Sequence, residues 1–256
     1  MPQGFRVAVL ASGSRGNATL IQTEQQKILV DLGISTRELE KRLQAVGVAA
    51  GDLDGVLITH EHHDHIRGLE TFCKKFQVPV YTSLKTMLAI YCALPRLNRE
   101  HFRQLEGCLQ LGDVRVQGFA TCHDAADPHG YMFYTKDAKL TYATDLGFVS
   151  PTVRPALEDC DYLILESNHD VDLLKTGPYP WRTKQRILST LGHLSNMTAG
   201  ETLAGLQKLP QRVVLAHLSQ TNNLPELALN TVCGCLDRVG RRTELRVASQ
   251  NDIVVL

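Results

Sequence analysis

The sequence predicts an α/β protein, a layered sandwich in which two strand-rich halves, each with its own helices, form one domain over residues 1–256. Three observations carry this. Short apolar runs such as Val7-Ala8-Val9-Leu10-Ala11 and Tyr162-Leu163-Ile164-Leu165 recur along the whole chain and stop at polar residues. Stretches of helical periodicity are interleaved with them in both halves. No internal repeat, low-complexity stretch or linker divides the chain.

The elements follow in order. Phe5 to Leu10 is a strand, and Ala11-Ser12-Gly13-Ser14-Arg15-Gly16-Asn17 supplies the small residues of a tight turn. Ala18 to Gln22 and Lys27 to Val30 form a hairpin that exits at Asp31-Leu32-Gly33. Ser35 or Thr36 caps a helix whose Leu39, Leu43 and Val46 share a face and which Gly47 closes. Asp54 to Thr59 is a buried strand, Gly68 to Phe76 is helical, and Val78 to Tyr81 is extended. Thr82 or Ser83 caps a helix through Cys92. After a less regular stretch, Val114 to Ala120 is a strand that delivers Thr121-Cys122-His123. Gly130 to Thr135 and Leu140 to Ala143 pair as a hairpin ahead of Thr144-Asp145. Tyr162 to Leu165 leads to Glu166, and Val213 to Ala216 leads to His217. Helices span Met197 to Leu206 and Pro225 to Val239, and strands Leu245 to Ala248 and Ile253 to Leu256 finish the chain.

Composition excludes several classes. With 43% hydrophobic residues in 256, the chain can bury a large core, which excludes a disordered tail or a disulfide-stapled mini-protein. The 27 basic residues cancel the 27 acidic ones, so no bulk charge coats a nucleic acid or an anionic membrane, and any polyanion must be held locally. Apolar runs fall short of the roughly 18 residues of a membrane span and of a signal-peptide core, so the expected location is cytoplasmic. Seven cysteines without a CxxC pair fit reduced thiols, and Cys233 and Cys235 carry no assigned chemistry.

His60-Glu61-His62-His63-Asp64-His65 concentrates four of the ten histidines in six residues, directly after a buried strand. Imidazole nitrogen with carboxylate oxygen suits zinc, manganese or iron. His60 and His62, two apart in an extended segment, project to one side, and Asp64 and His65 open the next helix. His123, Asp145 and His217 each follow a buried strand, where a rigid scaffold holds a ligand at a sheet edge. His63 and Glu61 are expected to face away, His101 to be solvated in its basic stretch, and His129 to sit in a turn.

At these residues the sequence resembles the metallo-β-lactamase superfamily, whose pattern is a strand-end Asp, then HxHxDH, then separate His, Asp and His. Here those positions are Asp31, then His60, His62, Asp64 and His65, then His123, Asp145 and His217. The resemblance implies a four-layer αββα sandwich of two similar halves. It also implies two divalent ions, one held by His60, His62 and His123, the other by Asp64, His65 and His217, with Asp145 between them. Asp31 would orient a ligand from behind.

A narrower resemblance covers nearly the whole chain. Ala11-Ser12-Gly13-Ser14-x-Gly16-Asn17, Glu166-Ser167-Asn168-His169-Asp170, Gly177-Pro178-Tyr179-Pro180-Trp181, Gly192-His193-Leu194-Ser195-Asn196 and His217-Leu218-Ser219 look like the YycJ/WalJ/VicX branch. That branch is associated with 5′-to-3′ exonuclease activity on DNA. His193 is similar to the His motif of the tRNase Z branch, where such a histidine works with a Glu in protonating the leaving group; Glu166 is the matching partner here. The implied mechanism is in-line attack on phosphorus by a hydroxide bridging the two ions, with Asp64, His193 and Glu166 as the candidate catalytic residues. His193 capping its helix is the alternative role, and His169 is open between a structural hydrogen bond and catalysis.

Candidate substrate contacts are Ser14 and Asn17 in the glycine loop, Ser195, and the aromatics Tyr179 and Trp181, which stand among Lys175, Arg182, Lys184 and Arg186. For Trp181, anchorage in the core is the alternative. Seven bases against two acids between Arg67 and Arg103, and eleven acids against four bases between Asp113 and Asp172, predict a basic side and an acidic metal side. An RNA or a small phosphodiester as substrate, and a regulatory protein with structural metals, are the competing readings.

Overall fold

The computed structural model describes residues 4–256. The first sheet is built from β1 (Arg6–Ala11), β2 (Ala18–Gln22), β3 (Lys27–Val30), β4 (Gly55–Leu57), β5 (Val80–Thr82) and β6 (Phe102–Gln104). The second contains β7 (Cys108–Leu111), β8 (Val114–Ala120), β9 (His129–Tyr134), β10 (Lys139–Ala143), β11 (Tyr162–Glu166), β12 (Arg212–Ala216) and β13 (Glu244–Val247). The last strand, β14 (Val254–Val255), returns to the first sheet and pairs with β1.

Each sheet therefore has seven strands, ordered β14-β1-β2-β3-β4-β5-β6 and β13-β12-β11-β10-β9-β8-β7. The two halves match in pairing. β14 to β3 and β7 to β10 are antiparallel ladders, while β3 to β6 and β10 to β13 are parallel. Alternation along the strands sets the layers. Val7 and Val9 of β1 face Val116, Phe133 and Tyr142 in the core between the sheets. Ala8 and Leu10, one residue out of phase, join the core on the outer side.

Helices cover both outer faces. On the first sheet lie α1 (Thr36–Ala45), α2 (His63–Ile66), α3 (Leu69–Lys75) and α4 (Leu84–Ala93), packed through Leu39, Leu43, Phe72 and Ile90. The second half adds α5 (Arg154–Leu157), α6 (Val171–Thr176), α7 (Trp181–Ile187), α8 (Asn196–Ala204) and α9 (Pro225–Arg238). Ala199, Leu203, Val232 and Leu236 seal the second outer core. The result is helix, sheet, sheet, helix. Ser35 caps α1 through Glu38 N–H, Ser83 caps α4 through Thr86 N–H, and Gly47 takes the left-handed φ of +81° after α1.

Several expectations need correction. The strand before the histidine cluster is shorter than Asp54 to Thr59, because Thr59 leaves the ladder and turns its N–H and hydroxyl to Asp31. The irregular stretch holds a short helical turn and the strands β6 and β7. His101 is buried, because that turn folds its ring inward, 3.3 Å from Asn98 Nδ2. His129 opens β9 instead of sitting in a turn, and its Nδ1 pairs with the Asp127 carbonyl. All seven cysteines are free. Among the described residues, no helix is long and apolar enough to cross a membrane.

Candidate metal centre

Most of the candidate site residues leave the carboxyl ends of strands, while Asp64 and His65 sit in α2 just after β4, so the sandwich gathers them along one edge. Asp31 follows β3, His60 follows β4, His123 follows β8, Asp145 follows β10, and His217 follows β12. Three of them have left-handed backbones: Asp31 at φ +61°, Asp145 at +57° and His217 at +57°. Residues with a Cβ rarely adopt that conformation.

The imidazoles share one logic. His65 Nδ1 lies 2.8 Å from Asp31 Oδ2, His217 Nδ1 2.8 Å from Glu166 Oε1, His123 Nδ1 3.0 Å from the Gly192 carbonyl, and His60 Nδ1 3.0 Å from Thr59 Oγ1. Thr59 gives its own hydroxyl proton to Asp31, so its oxygen accepts from His60. Each ring thus directs Nδ1–H outward and turns Nε2 inward, the atom that would bind an ion.

The inward atoms form groups whose members lie within 4.8 Å of one another: His60 with His62 and His123, Asp64 with His65 and His217, and Asp145 with His60 and His65. Asp145 stands between, Oδ1 at 3.5 Å from His123 Nε2 and Oδ2 at 3.4 Å from His65 Nε2. Buried polar atoms are normally satisfied. Here His60 Nε2, His123 Nε2 and Asp145 Oδ2 are buried with no hydrogen-bond partner. Converging nitrogen and carboxylate donors left unpaired in this way fit divalent metal ions.

The electrostatics make the site a cation trap: burial opposes charge on His65 and His217, but the carboxylates around them overcome it and hold both rings well above the usual histidine range, so an ion binding there would replace their inward protons. Burial opposes the charge on Asp145, but the surrounding His217 and His65 overcome it and hold the carboxyl well below its usual range. Burial and the neighbouring His65 both push His60 down, keeping its ring neutral. Burial would also discharge Glu166, yet His193 and His217 bring it to about 2.

Glu166 joins His193 to His217. Its Oε1 lies 2.8 Å from Nδ1 of both His193 and His217, and its Oε2 accepts the N–H groups of Leu146 and Leu194. His193 lines a cavity of about 270 Å³ together with His62, Asp64, Asp145, His217 and Ser14. Its Nδ1 is used by Glu166, so Nε2 is the atom left for a ligand. A larger hollow of about 380 Å³ near Thr23, Asp113 and Lys136 gathers none of these residues.

The remaining candidates divide. Tyr179 lines the cavity and donates its hydroxyl toward Thr221 Oγ1. Asn17 is buried behind it: its carboxamide accepts Gly13 N–H and reaches the Asp64 carbonyl, tying the glycine loop to the ligand segment. Ser195, not His193, caps α8 by accepting Thr198 N–H. Trp181 lies outside the cavity lining and is 66% exposed, so it is no core anchor either. His169, open between a structural hydrogen bond and catalysis, is buried with both ring nitrogens unpartnered; its main chain, not its ring, pairs with Ser195 and Asn196. His63 is exposed, as its variable position implied, and half-buried Glu61 accepts Ala126 N–H.

Sequence reasoning missed Thr59, Asp124 and Gln250. Gln250 accepts Arg15 N–H and donates to the Gly16 carbonyl, clamping the loop that presents Ser14. Thr59 and Asp124 had a signal, since each adjoins a candidate ligand in sequence. Gln250 had none, being distant along the chain.

Residues 11–217 match the metallo-beta-lactamase superfamily model. An exodeoxyribonuclease WalJ from Streptococcus pneumoniae is 38% identical over 234 residues, covering 90% of this chain and 87% of its own length. An exodeoxyribonuclease YycJ from Bacillus anthracis is 37% identical over 240 residues, covering 93% of this chain and 91% of its own. The metallo-beta-lactamase fold protein YhfI from Bacillus subtilis superposes with a TM-score of 0.73 over 98% of this chain and 99% of its own, at 18% identity, a likeness of fold.

Proposed function

The chain belongs to the metallo-beta-lactamase superfamily, and we propose that within it this protein is a metal-dependent exonuclease that degrades DNA in the cytoplasm. The single observation that carries the reading beyond the family is the Glu166 hub, which joins a ligand histidine to a second histidine open to the cavity. The sequence relationship to two exodeoxyribonucleases over most of the chain supports DNA as the substrate.

His60, His62 and His123 would hold one divalent ion and Asp64, His65 and His217 a second, with Asp145 shared; zinc, manganese and iron all suit the donors. Such ions lower the pKa of a bound water to about 7 and draw charge from a phosphoryl oxygen. The chain's own residues do the rest. Asp31 and Thr59 fix the rings of His65 and His60. The Glu166 carboxylate stabilises a doubly protonated His193 through Nδ1–H, so the ring can give its Nε2 proton to the departing alkoxide, a leaving group too basic to go unaided, and remain as the neutral Nδ1–H form. Ser14 and Tyr179 line the space a strand end enters.

The test compares labelled single-stranded DNA, RNA and a cyclic dinucleotide with manganese or zinc added. DNA is expected to be shortened from one end, chelator to stop the reaction, and His62→Ala and Asp145→Ala to abolish it. Hydrolysis that survives chelation and both substitutions would overturn the reading.

A further inference from the structure

The four basic residues around Tyr179 and Trp181 have different fates. Lys184 gives its ammonium to the Lys175 carbonyl, and neither it nor Arg182 lines the cavity. Arg186, at the end of α7, does, and is the sole Lys or Arg among the described lining residues. An anionic polymer entering this space meets one fixed cation.

That cation is held in a definite plane. Nε donates to Asp124 Oδ2 and Nη2 to Asp124 Oδ1, at 2.5 and 2.9 Å, the fork-on-carboxylate geometry that confers direction as well as attraction. With side-chain exposures of 49% and 32%, the pair contributes little to stability, about 0–1 kcal/mol. It does fix where the guanidinium points. A guanidinium has five N–H donors. Asp124 takes two, and the rest have no protein partner among the described residues.

Asp124 also links the guanidinium to the ligand cluster. Its Oδ1 lies 3.4 Å from His123 Nε2, one of the converging ligand atoms, while the same oxygen accepts from Arg186. A carboxylate thus stands between the ligand cluster and the guanidinium. A phosphate held at the cluster meets Asp124 on the side facing the guanidinium, whereas a neighbouring phosphate of the same strand can use the free N–H groups with the pair intact. We propose that Arg186, oriented by Asp124, binds a non-scissile phosphate, so that the site selects polynucleotides over isolated phosphodiesters. The proposal rests on the nuclease reading above.

The experiment uses the metal-loaded protein and a single-stranded DNA decamer, with each linkage replaced in turn by a neutral methylphosphonate. In the wild type, neutralising one position beside the cleaved bond should lower kcat/KM about tenfold or more, the loss of one charge-assisted contact. Arg186→Ala and the near-isosteric Arg186→Gln should be slowed by a similar factor on the unmodified strand and be indifferent to that substitution. Arg186→Lys keeps the charge but cannot be held by two bonds, and should stay within threefold of Arg186→Ala. Variants that retain the wild-type pattern of sensitivity would overturn the proposal, and full recovery by lysine would overturn the part assigned to Asp124. If the wild type cleaves no strand at all, the nuclease reading fails first, an outcome distinct from both.

Discussion

Replacing Glu166 by glutamine changes one atom and reverses the polarity of a buried hub. The carboxylate accepts four bonds, from Leu146 and Leu194 N–H at Oε2 and from His193 and His217 at Oε1. A carboxamide has one acceptor oxygen, and the two backbone donors cannot become acceptors, so the amide oxygen must take the place of Oε2. Its NH2 then faces both imidazole Nδ1 atoms, which must give up their protons. A neutral ring with bare Nδ1 carries its proton on Nε2. In His217, Nε2 is the atom that faces Asp64 Oδ2 at 3.4 Å, and protonated it cannot bind a metal. Loss of such a supporting contact weakens metal binding by roughly 10- to 100-fold. In His193 the charged donor loses its partner, and removal of a general acid slows turnover by about 10² to 10⁴. Calorimetric zinc titration of Glu166→Gln should therefore show the weakened affinity, and turnover at saturating metal should show the second loss. His193→Ala should reproduce the second without the first. A Glu166→Gln protein with wild-type zinc affinity, or with turnover within threefold, would refute the tautomer argument. Acid stability follows the same group. Its carboxyl is held at about 2 against an ordinary 4.5, so its contribution is complete above 4.5 and is lost as pH falls toward 2.

Two other residues give independent expectations. His169 is pushed by burial from 6.5 to about 4, with Glu166 pulling weakly the other way. The folded ring stays neutral where the unfolded one takes a proton, so stability is complete above 6.5 and falls as pH drops toward 4, by about 2 kcal/mol at pH 5. Urea unfolding at pH 7.5 and 5.0 should show that His169→Leu lacks this loss and is destabilised at pH 7.5 by no more than about 1 kcal/mol, since the ring nitrogens it removes are unpaired. A wild-type pH response in the variant would mean that those nitrogens do find partners. At Gly33 a Cβ would stand 1.6 Å from the Asp64 carbonyl oxygen and 2.6 Å from the Asn17 nitrogen, both backbone atoms. Gly33→Ala should cost roughly 3 kcal/mol and lower metal stoichiometry, because the segment carrying Asp64 must move; an unchanged urea midpoint and metal content would contradict it.

Legibility in the sequence followed length and chemistry. β2, β3 and β8 occupy the residues expected of them, because apolar runs between turn residues mark strands well. α6 and α7 were not legible, whereas the start of α2 at Asp64 and His65 was. The two illegible helices are six and seven residues long, and α7 buries Ile187 alone, so neither shows a clear apolar period. The matched pairing of the two sheets leaves no trace in sequence because ladders constrain alternation and not residue identity. The ligands were legible because few other structures need so many histidines after strands. Asn17 and Ser195 were not, since the same oxygen atoms that bind a substrate also close loops and cap helices. Arg186 stood out as one of four bases, but its partner Asp124 comes from a loop 62 residues away.

The left-handed strand ends explain why this edge of the sandwich is a site at all. A residue with a Cβ loses roughly 1–2 kcal/mol in that conformation, which glycine would avoid. Asp31, Asp145 and His217 adopt it nonetheless. A glycine there would relax the turn and remove the Asp31 carboxylate that accepts from Thr59 and meets His65, or the His217 ring held by Glu166. Left-handed backbone alone is no mark of function, since Asp159 shares it at φ +54° in a surface turn. What separates the other three is that each strained residue is also buried and ionisable, so two costs fall on one position. Folding by itself rewards neither. Their coincidence at three strand ends drawn from both sheets is what selection for a ligand-binding edge produces, and stability alone would have placed glycine or asparagine there.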